Sequence, residues 1–127
     1  MLSSKKKLWL ALSTAVLAVT GLAHAGYKQD SQAIVGSWFA AGALGSIRNS
    51  SDTKQFADVT VRDNAWAWLV VVDANGKAAS CTTTDPNLIA TASAVSAASY
   101  IYFEFDRYGE CTTLDVRNGS YHATPVL

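Results

Sequence analysis

The chain has 127 residues, of which half are hydrophobic, with ten basic and ten acidic side chains and two cysteines. Its beginning is typical of a secretory leader: a basic stretch at 5–7, an uncharged apolar run at 8–20, and Ala-His-Ala at 23–25. That run is shorter than the about 20 residues of a transmembrane helix. We therefore expect cleavage after Ala25 and a secreted or periplasmic mature chain, with no stable insertion into a membrane.

Removal of the leader leaves seven basic against ten acidic groups, a net charge of −3. Nucleic-acid phosphates and anionic lipid surfaces both attract basic proteins. The mildly acidic mature chain therefore argues against nucleic acid and against a membrane surface as partners. Its length, residues 26–127, is that of one domain with a modest core.

Cys81 and Cys111 both lie in the mature part of the chain. In an oxidising compartment, two such cysteines form a disulfide by default. The alternatives are a metal site, which would need more Cys or His ligands than the chain offers, and a catalytic thiol. We predict a disulfide that closes a loop of about 30 residues and stabilises the fold by roughly 3 to 4 kcal/mol, with no metal and no cofactor.

The first half of the mature chain is predicted to be rich in β-strands. Residues 56–62 alternate with a period of two, and turn signals at Asp63-Asn64 and at 73–76 delimit the next strand. The hairpin interpretation of 73–76 is preferred to a calcium loop, which would need a bidentate Glu downstream. The predicted elements are a helical turn or ordered lead-in at 32–35, a weak strand of small side chains at 40–48, and strands at 56–62, 65–72 and 77–83.

The strand at 65–72 is apolar on both faces, which is usual for a central strand that is covered twice. Either a second layer covers Trp66 and Trp68, or part of each ring is exposed. In the second case the two rings could pair with another copy of the chain and form a homo-oligomer.

The second half begins with a predicted helix at 87–97, because Asp85 and Pro86 suit the N-cap and the first helical position. Strand 100–106 follows with strict alternation, Ile101, Phe103 and Phe105 on one face. Strand 111–117 pairs back on it, and an edge strand at 121–127 is limited by Pro125. On 111–117 the alternation predicts one face with Thr112, Leu114 and Val116, and an opposite face with Cys111, Thr113, Asp115 and Arg117.

This order of elements predicts a mainly β fold, an antiparallel sheet or a small β-sandwich, with one α-helix and one disulfide. Catalytic residues are not predicted. His122 is the one histidine after the leader, and the ordinary interpretation is a solvated or edge histidine rather than a triad with Ser120 and Asp115. Glu104 and Asp106 stand two apart on one strand, and paired carboxylates at comparable distances serve glycoside hydrolysis. Such a pair is also common on any acidic surface.

The outer face of the hairpin formed by 100–106 and 111–117 carries the best functional signal. Aromatic rings beside carboxylates and an Arg can recognise a sugar or a protein surface. Cross-strand packing with surface ion pairs explains the same residues without any partner. The residues of this face, the tyrosine–carboxylate surface, are Tyr100, Tyr102, Glu104, Asp106, Thr113, Asp115 and Arg117.

Three stretches resemble short secreted bacterial proteins of unknown function: 45–50 (Gly-Ser-Ile-Arg-Asn-Ser), 100–106 and 109–113 (Gly-Glu-Cys-Thr-Thr). Such proteins often carry a further Cys pair, where this chain has Val59 and Leu69. The resemblance implies export and a small β-rich fold, and nothing about activity.

We expect an exported binding or structural module with an extracellular protein or glycan as its partner. The alternative hypothesis is a secreted effector or enzyme inhibitor that acts through a loop, and a hydrolase is the third.

Overall fold

A computed structural model describes Tyr27 and residues 29–122 of the chain. The predicted leader and most of the predicted edge strand at 121–127 lie outside these residues. The elements are β1 (Ile34–Val35), β2 (Phe39–Ala43), α1 (Leu44–Arg48), β3 (Phe56–Arg62), β4 (Trp66–Val72), β5 (Ala78–Thr83), α2 (Pro86–Ala92), β6 (Tyr100–Phe105) and β7 (Cys111–Arg117). Neither of these helices is long and apolar enough to cross a membrane.

The strands form two antiparallel sheets that face each other. One has the order β1-β2-β6-β7 and the other the order β3-β4-β5. The core between them contains side chains from both sheets, with Ala40, Leu69, Val71, Ile101 and Phe103 fully buried. The predicted mainly β fold with antiparallel pairing and a disulfide is confirmed.

Strand β6 lies inside its sheet, between β2 and β7, and it has the one buried face that its alternating sequence predicts. Ile101 and Phe103 point into the core and are 0% exposed, whereas Tyr102 and Glu104 are partly exposed on the outer face. Phe105, near the end of the strand, is only partly buried. The predicted face assignment therefore holds for residues 100–104, and Phe103 is the most buried aromatic ring of this strand.

The hairpin turns follow the predicted signals. Asp63 (φ 52°) and Asn64 (φ 53°) both occupy the left-handed region, which these two residue types tolerate and which the tight turn between β3 and β4 requires. The turn closes with Ala65 N–H donating to the carbonyl of Arg62 over 2.8 Å. Between β4 and β5, a carboxylate oxygen of Asp73 accepts two backbone N–H groups of the turn.

The prediction of one weak strand at 40–48 is wrong in its second half. The strand ends at Ala43, and α1 folds back so that the side chain of Ile47 packs over Gly42. A Cβ at Gly42 would lie 2.8 Å from Cδ1 of Ile47 and 3.2 Å from the Cα of Ala33, so a larger residue there would require the Ile47 side chain to shift. The lead-in at 32–35 forms the short strand β1 and not a helical turn.

Helix α2 begins as predicted but is shorter than the predicted 87–97. The Asp85 side chain accepts the Asn87 N–H over 2.8 Å as N-cap, but the helix ends at Ala92. The hydroxyl of Ser93 donates to the carbonyl of Ile89, and further serines bind backbone groups in the following turns. Such local bonds compete with helix continuation, so the Ser-rich sequence stops the helix within two turns.

The disulfide joins the two sheets. Cys81 on β5 and Cys111 on β7 belong to edge strands of opposite sheets, with their Cα atoms 5.0 Å apart. The predicted orientation of Cys111, on the face of Thr113, is wrong. A register shift pairs Glu104 with Thr113 but Phe105 with Cys111, so Thr112 is an extra residue and Cys111 turns inward.

Candidate functional site

The structure brings six of the seven residues of the tyrosine–carboxylate surface together. Cross-strand pairing places Tyr100 opposite Arg117, Tyr102 opposite Asp115, and Glu104 opposite Thr113. Asp106 does not lie on this face, because it belongs to the turn after β6. One of its carboxylate oxygens accepts the N–H groups of Tyr108 (2.9 Å) and Glu110 (3.0 Å).

Several groups of this surface already contact one another or a neighbouring strand. The guanidinium of Arg117 lies 5.6 Å from the ring centre of Tyr100 and donates to Asp115 over 2.9 Å, and the pKa of Arg117 is raised mainly by that hydrogen bond. The Tyr102 ring stacks on Phe39 at 5.8 Å. Burial, followed by the charge of Glu104, raises the pKa of Tyr102. These contacts match the cross-strand packing alternative, and partner binding on this face stays a prediction.

His122 is not the solvated histidine that the sequence predicts. Its side chain is 3% exposed and lies against Tyr100 and Tyr121, with ring centres 5.5 and 4.2 Å away. Within the described part of the chain, neither imidazole nitrogen has a hydrogen-bond partner. A triad with Ser120 and Asp115 is therefore not formed. Burial, and secondly the charge of Arg117, lowers the pKa of His122.

This environment predicts an acid-sensitive contribution to stability. The unfolded chain holds His122 at its ordinary pKa of about 6.5, so it takes up a proton before the folded chain does. The free energy of unfolding should fall as the pH drops below about 6.5 and level off below the folded-state pKa. Urea titrations at about pH 8 and about pH 5 measure this loss.

His122→Phe keeps an aromatic ring between the tyrosines and removes the titrating group. The part of the acid loss that is due to His122 should disappear in this variant. An identical pH dependence in both proteins would contradict the assignment.

A second surface lies on the other sheet, and we call it the tryptophan groove. It is an open groove of about 580 Å³ at the seam between the sheets. Its floor and walls are formed by Trp66, Trp68, Thr82, Thr83, Thr84, Asp85, Glu110 and Cys111.

The alternation of β4 explains why both indole rings face this groove. Ala67, Leu69 and Val71 point inward and are fully buried, so Trp66 and Trp68 point outward, where both are half-buried. Trp68 lies between Thr60 of β3 and Thr82 of β5. Strand β4 is the central strand of its sheet, as predicted. Of the two alternatives for Trp66 and Trp68, the structure shows the one in which part of each ring is exposed.

The walls of the groove are held by a helix cap, a tight turn and a β-bridge. Asp85 is fixed as N-cap of α2 and precedes Pro86. Glu110 is held by the turn at Asp106 and by a β-bridge to Thr82. In this bridge the Thr82 N–H donates to the carbonyl of Gly109 over 2.9 Å. The disulfide lies beside them, since Cys111 follows Glu110 and Cys81 precedes Thr82.

Sequence reasoning identified Trp66 and Trp68 but missed the groove walls. Residues 82–85 and Glu110 are 25 to 28 positions apart in the sequence and meet only because the edge strands β5 and β7 of the two sheets lie side by side. The predicted disulfide was the signal for that juxtaposition. Across the described residues, no group of three or more His, Cys, Asp or Glu side chains could hold a metal ion.

Comparisons with protein-family models, curated proteins and solved structures find no match to this chain. The geometry defines a β-sandwich that is tied at one seam by a disulfide, with an aromatic groove beside that seam. This groove is the candidate binding site.

Proposed function

We propose that the protein is an exported binding module that recognises a glycan along the tryptophan groove. The observation that carries the proposal is the pair of partly exposed indole rings, two residues apart on one strand, on the floor of an open groove with hydroxyl and carboxylate walls. The leader predicted at 1–25 and the Cys81–Cys111 bond support export, because disulfides persist in oxidising compartments.

Glycans suit this arrangement of groups. Sugar rings present apolar C–H faces, which stack on aromatic rings, and hydroxyl edges, which need hydrogen-bond partners. Residues two apart on a strand are roughly 6.5 to 7 Å apart, so Trp66 and Trp68 offer two platforms in a row. Thr82, Asp85 and Glu110 supply donors and acceptors along the same groove.

Binding explains the groove better than catalysis. A glycosidase needs a carboxyl that apolar surroundings keep protonated as general acid, and both Asp85 and Glu110 are exposed to solvent. Asp85 also accepts a backbone N–H as helix cap. The groove therefore offers recognition without an evident proton donor.

The proposal predicts that single Trp replacements reduce glycan binding. Trp66→Ala and Trp68→Ala should each weaken binding about 10-fold, or about 1.4 kcal/mol, through loss of a stacking platform. The experiment is an array of oligosaccharides and cell-envelope glycans probed with the mature protein, followed by titration calorimetry of each hit. Trp38→Ala is the matched control, because Trp38 is 60% exposed outside the groove.

Two outcomes would contradict the proposal. An equal loss with Trp38→Ala would indicate unspecific adhesion of exposed rings, and release of shortened glycans would indicate a hydrolase. Self-association of the protein through Trp66 and Trp68 is the alternative role of these two rings, and it predicts a different experimental result. In that case size-exclusion chromatography shows an oligomer that Trp66→Asp converts to a folded monomer.

One observation favours the alternative of a loop that binds a protein. The turn between β6 and β7 is fixed by Asp106, and Tyr108 at its tip is 74% exposed. The Arg107 guanidinium lies 4.9 Å from the Tyr108 ring centre. Tyr and Arg are enriched at interface hot spots, so this tip is the candidate for an effector or inhibitor.

A further inference from the structure

The charges around the tryptophan groove are unevenly distributed. Among its described lining residues, Asp85 and Glu110 are carboxylic acids, and no Lys or Arg is present. Arg62, whose guanidinium lies 5.6 Å from the ring centre of Trp66, comes from β3, on the side of Trp66 away from β5. The two carboxylates belong to the opposite side, at the seam of the sheets.

Both carboxylates are attached to backbone that is held in place. Asp85 is anchored by its bond to Asn87 and by the ring of Pro86. The backbone of Glu110 exchanges hydrogen bonds with Asp106, through Asp106 N–H to the Glu110 carbonyl (3.0 Å) and Glu110 N–H to the Asp106 carboxylate (3.0 Å). Carboxylates on anchored backbone beside a groove discriminate between ligands of opposite sign.

We infer that the groove selects glycans that carry protonated amino groups, such as glucosamine polymers, and rejects glycans with carboxylate or sulfate groups. This inference rests on the proposed function. The C–H faces of the sugars stack on Trp66 and Trp68, and the ammonium groups pair with Asp85 and Glu110. An ammonium also gains from the negative face of an indole ring, whereas an anionic sugar meets two like charges.

The test compares three oligomers of equal length: glucosamine, N-acetylglucosamine and galacturonate. Titration calorimetry is carried out at mildly acidic pH and low salt, where sugar amines are protonated and exposed carboxylates remain ionised. The glucosamine oligomer should bind about 3- to 10-fold more tightly than its acetylated counterpart, as expected for two solvated ion pairs. The galacturonate oligomer should not bind, and added salt should reduce the preference.

The decisive variant is Asp85→Asn with Glu110→Gln. Asn is also a good N-cap, so α2 should keep its start, and circular dichroism checks the fold. The preference for glucosamine should disappear while binding of N-acetylglucosamine remains. The control, Glu104→Gln with Asp115→Asn, makes the same charge change on the other sheet and should leave the preference intact.

The possible results separate the two proposals. Equal binding of the glucosamine and acetylated oligomers overturns the selectivity and leaves glycan recognition standing. Loss of the preference in the control pair overturns the location of the site, because it assigns binding to the tyrosine–carboxylate surface. Binding of none of the oligomers, nor of any glycan on the array, overturns the proposed function itself.

Discussion

Replacing Cys81 and Cys111 together with serine is expected to lower the free energy of unfolding by about 2 to 5 kcal/mol. The bond closes a loop with a sequence separation of 30 and joins edge strands of the two sheets. Without it, the unfolded chain gains loop entropy, and two buried sites receive polar hydroxyls. Urea denaturation of the oxidised parent and of the double variant measures the difference.

The control is Ser80→Ala combined with Thr112→Ala, because both side chains are exposed neighbours of the bonded residues. This pair should change stability by less than about 0.5 kcal/mol for each site. Mass spectrometry of exported protein without reductant should find no free thiol. Two free thiols in folded, exported material would contradict the predicted bond.

Loss of the disulfide should also affect the tryptophan groove. Glu110 and residues 82–85 belong to different sheets, and the bond lies beside the bridge that joins them. If the double serine variant remains folded, its glycan affinity should fall although Trp66 and Trp68 are unchanged. If the proposed function is correct, the same bond therefore contributes to both stability and glycan binding.

Most of the sheet structure could be predicted from local sequence. The alternation in β3 and β6 and the turn residues Asp63, Asn64 and Gly76 identify hairpins without knowledge of the tertiary fold. The side-chain period of two also fixed which residues of β6 face the core. Such features depend on neighbours in the chain, so the sequence is sufficient for them.

The sequence-based predictions are wrong in two situations. In one, local sequence favours two structures at once; in the other, a contact with a distant residue decides the structure. Helix α2 was predicted too long because alanines favour a helix while the hydroxyls of Ser93, Ser96 and Ser99 bind nearby backbone. The register shift at Thr112 reversed the orientation of Cys111 relative to simple alternation. The change from strand to helix after Ala43 brings Ile47 close to Gly42, a contact that no periodicity reveals.

In the candidate site too, some residues could be predicted from local sequence and others could not. The sequence identifies Trp66 and Trp68 as large residues on one face of a strand that is apolar on both faces. Asp85 was recognisable only as a helix cap, and Glu110 only as a loop residue. Their common position at the groove follows from the arrangement of the two sheets, and sequence alone left that arrangement open.

Phe103→Ala is expected to destabilise the protein by about 3 to 5 kcal/mol. The ring is fully buried in the core and is the largest of the fully buried side chains. Its β6 position pairs with Ala40 on β2 and Leu114 on β7. Because Ala40 is too small to fill the vacated space, a cavity should remain. Urea or thermal unfolding of the variant measures the cost.

Two neighbouring replacements test whether burial, and not strand position, sets this cost. Phe105→Ala removes the same ring from a partly buried site on the same face, so it should cost less than Phe103→Ala. Glu104→Ala, on the outer face between them, should stay within about 0.5 kcal/mol of the parent. Equal losses at Phe103 and Glu104 would contradict the two-faced strand, because they would mean that the outer face of β6 is as tightly covered as the core.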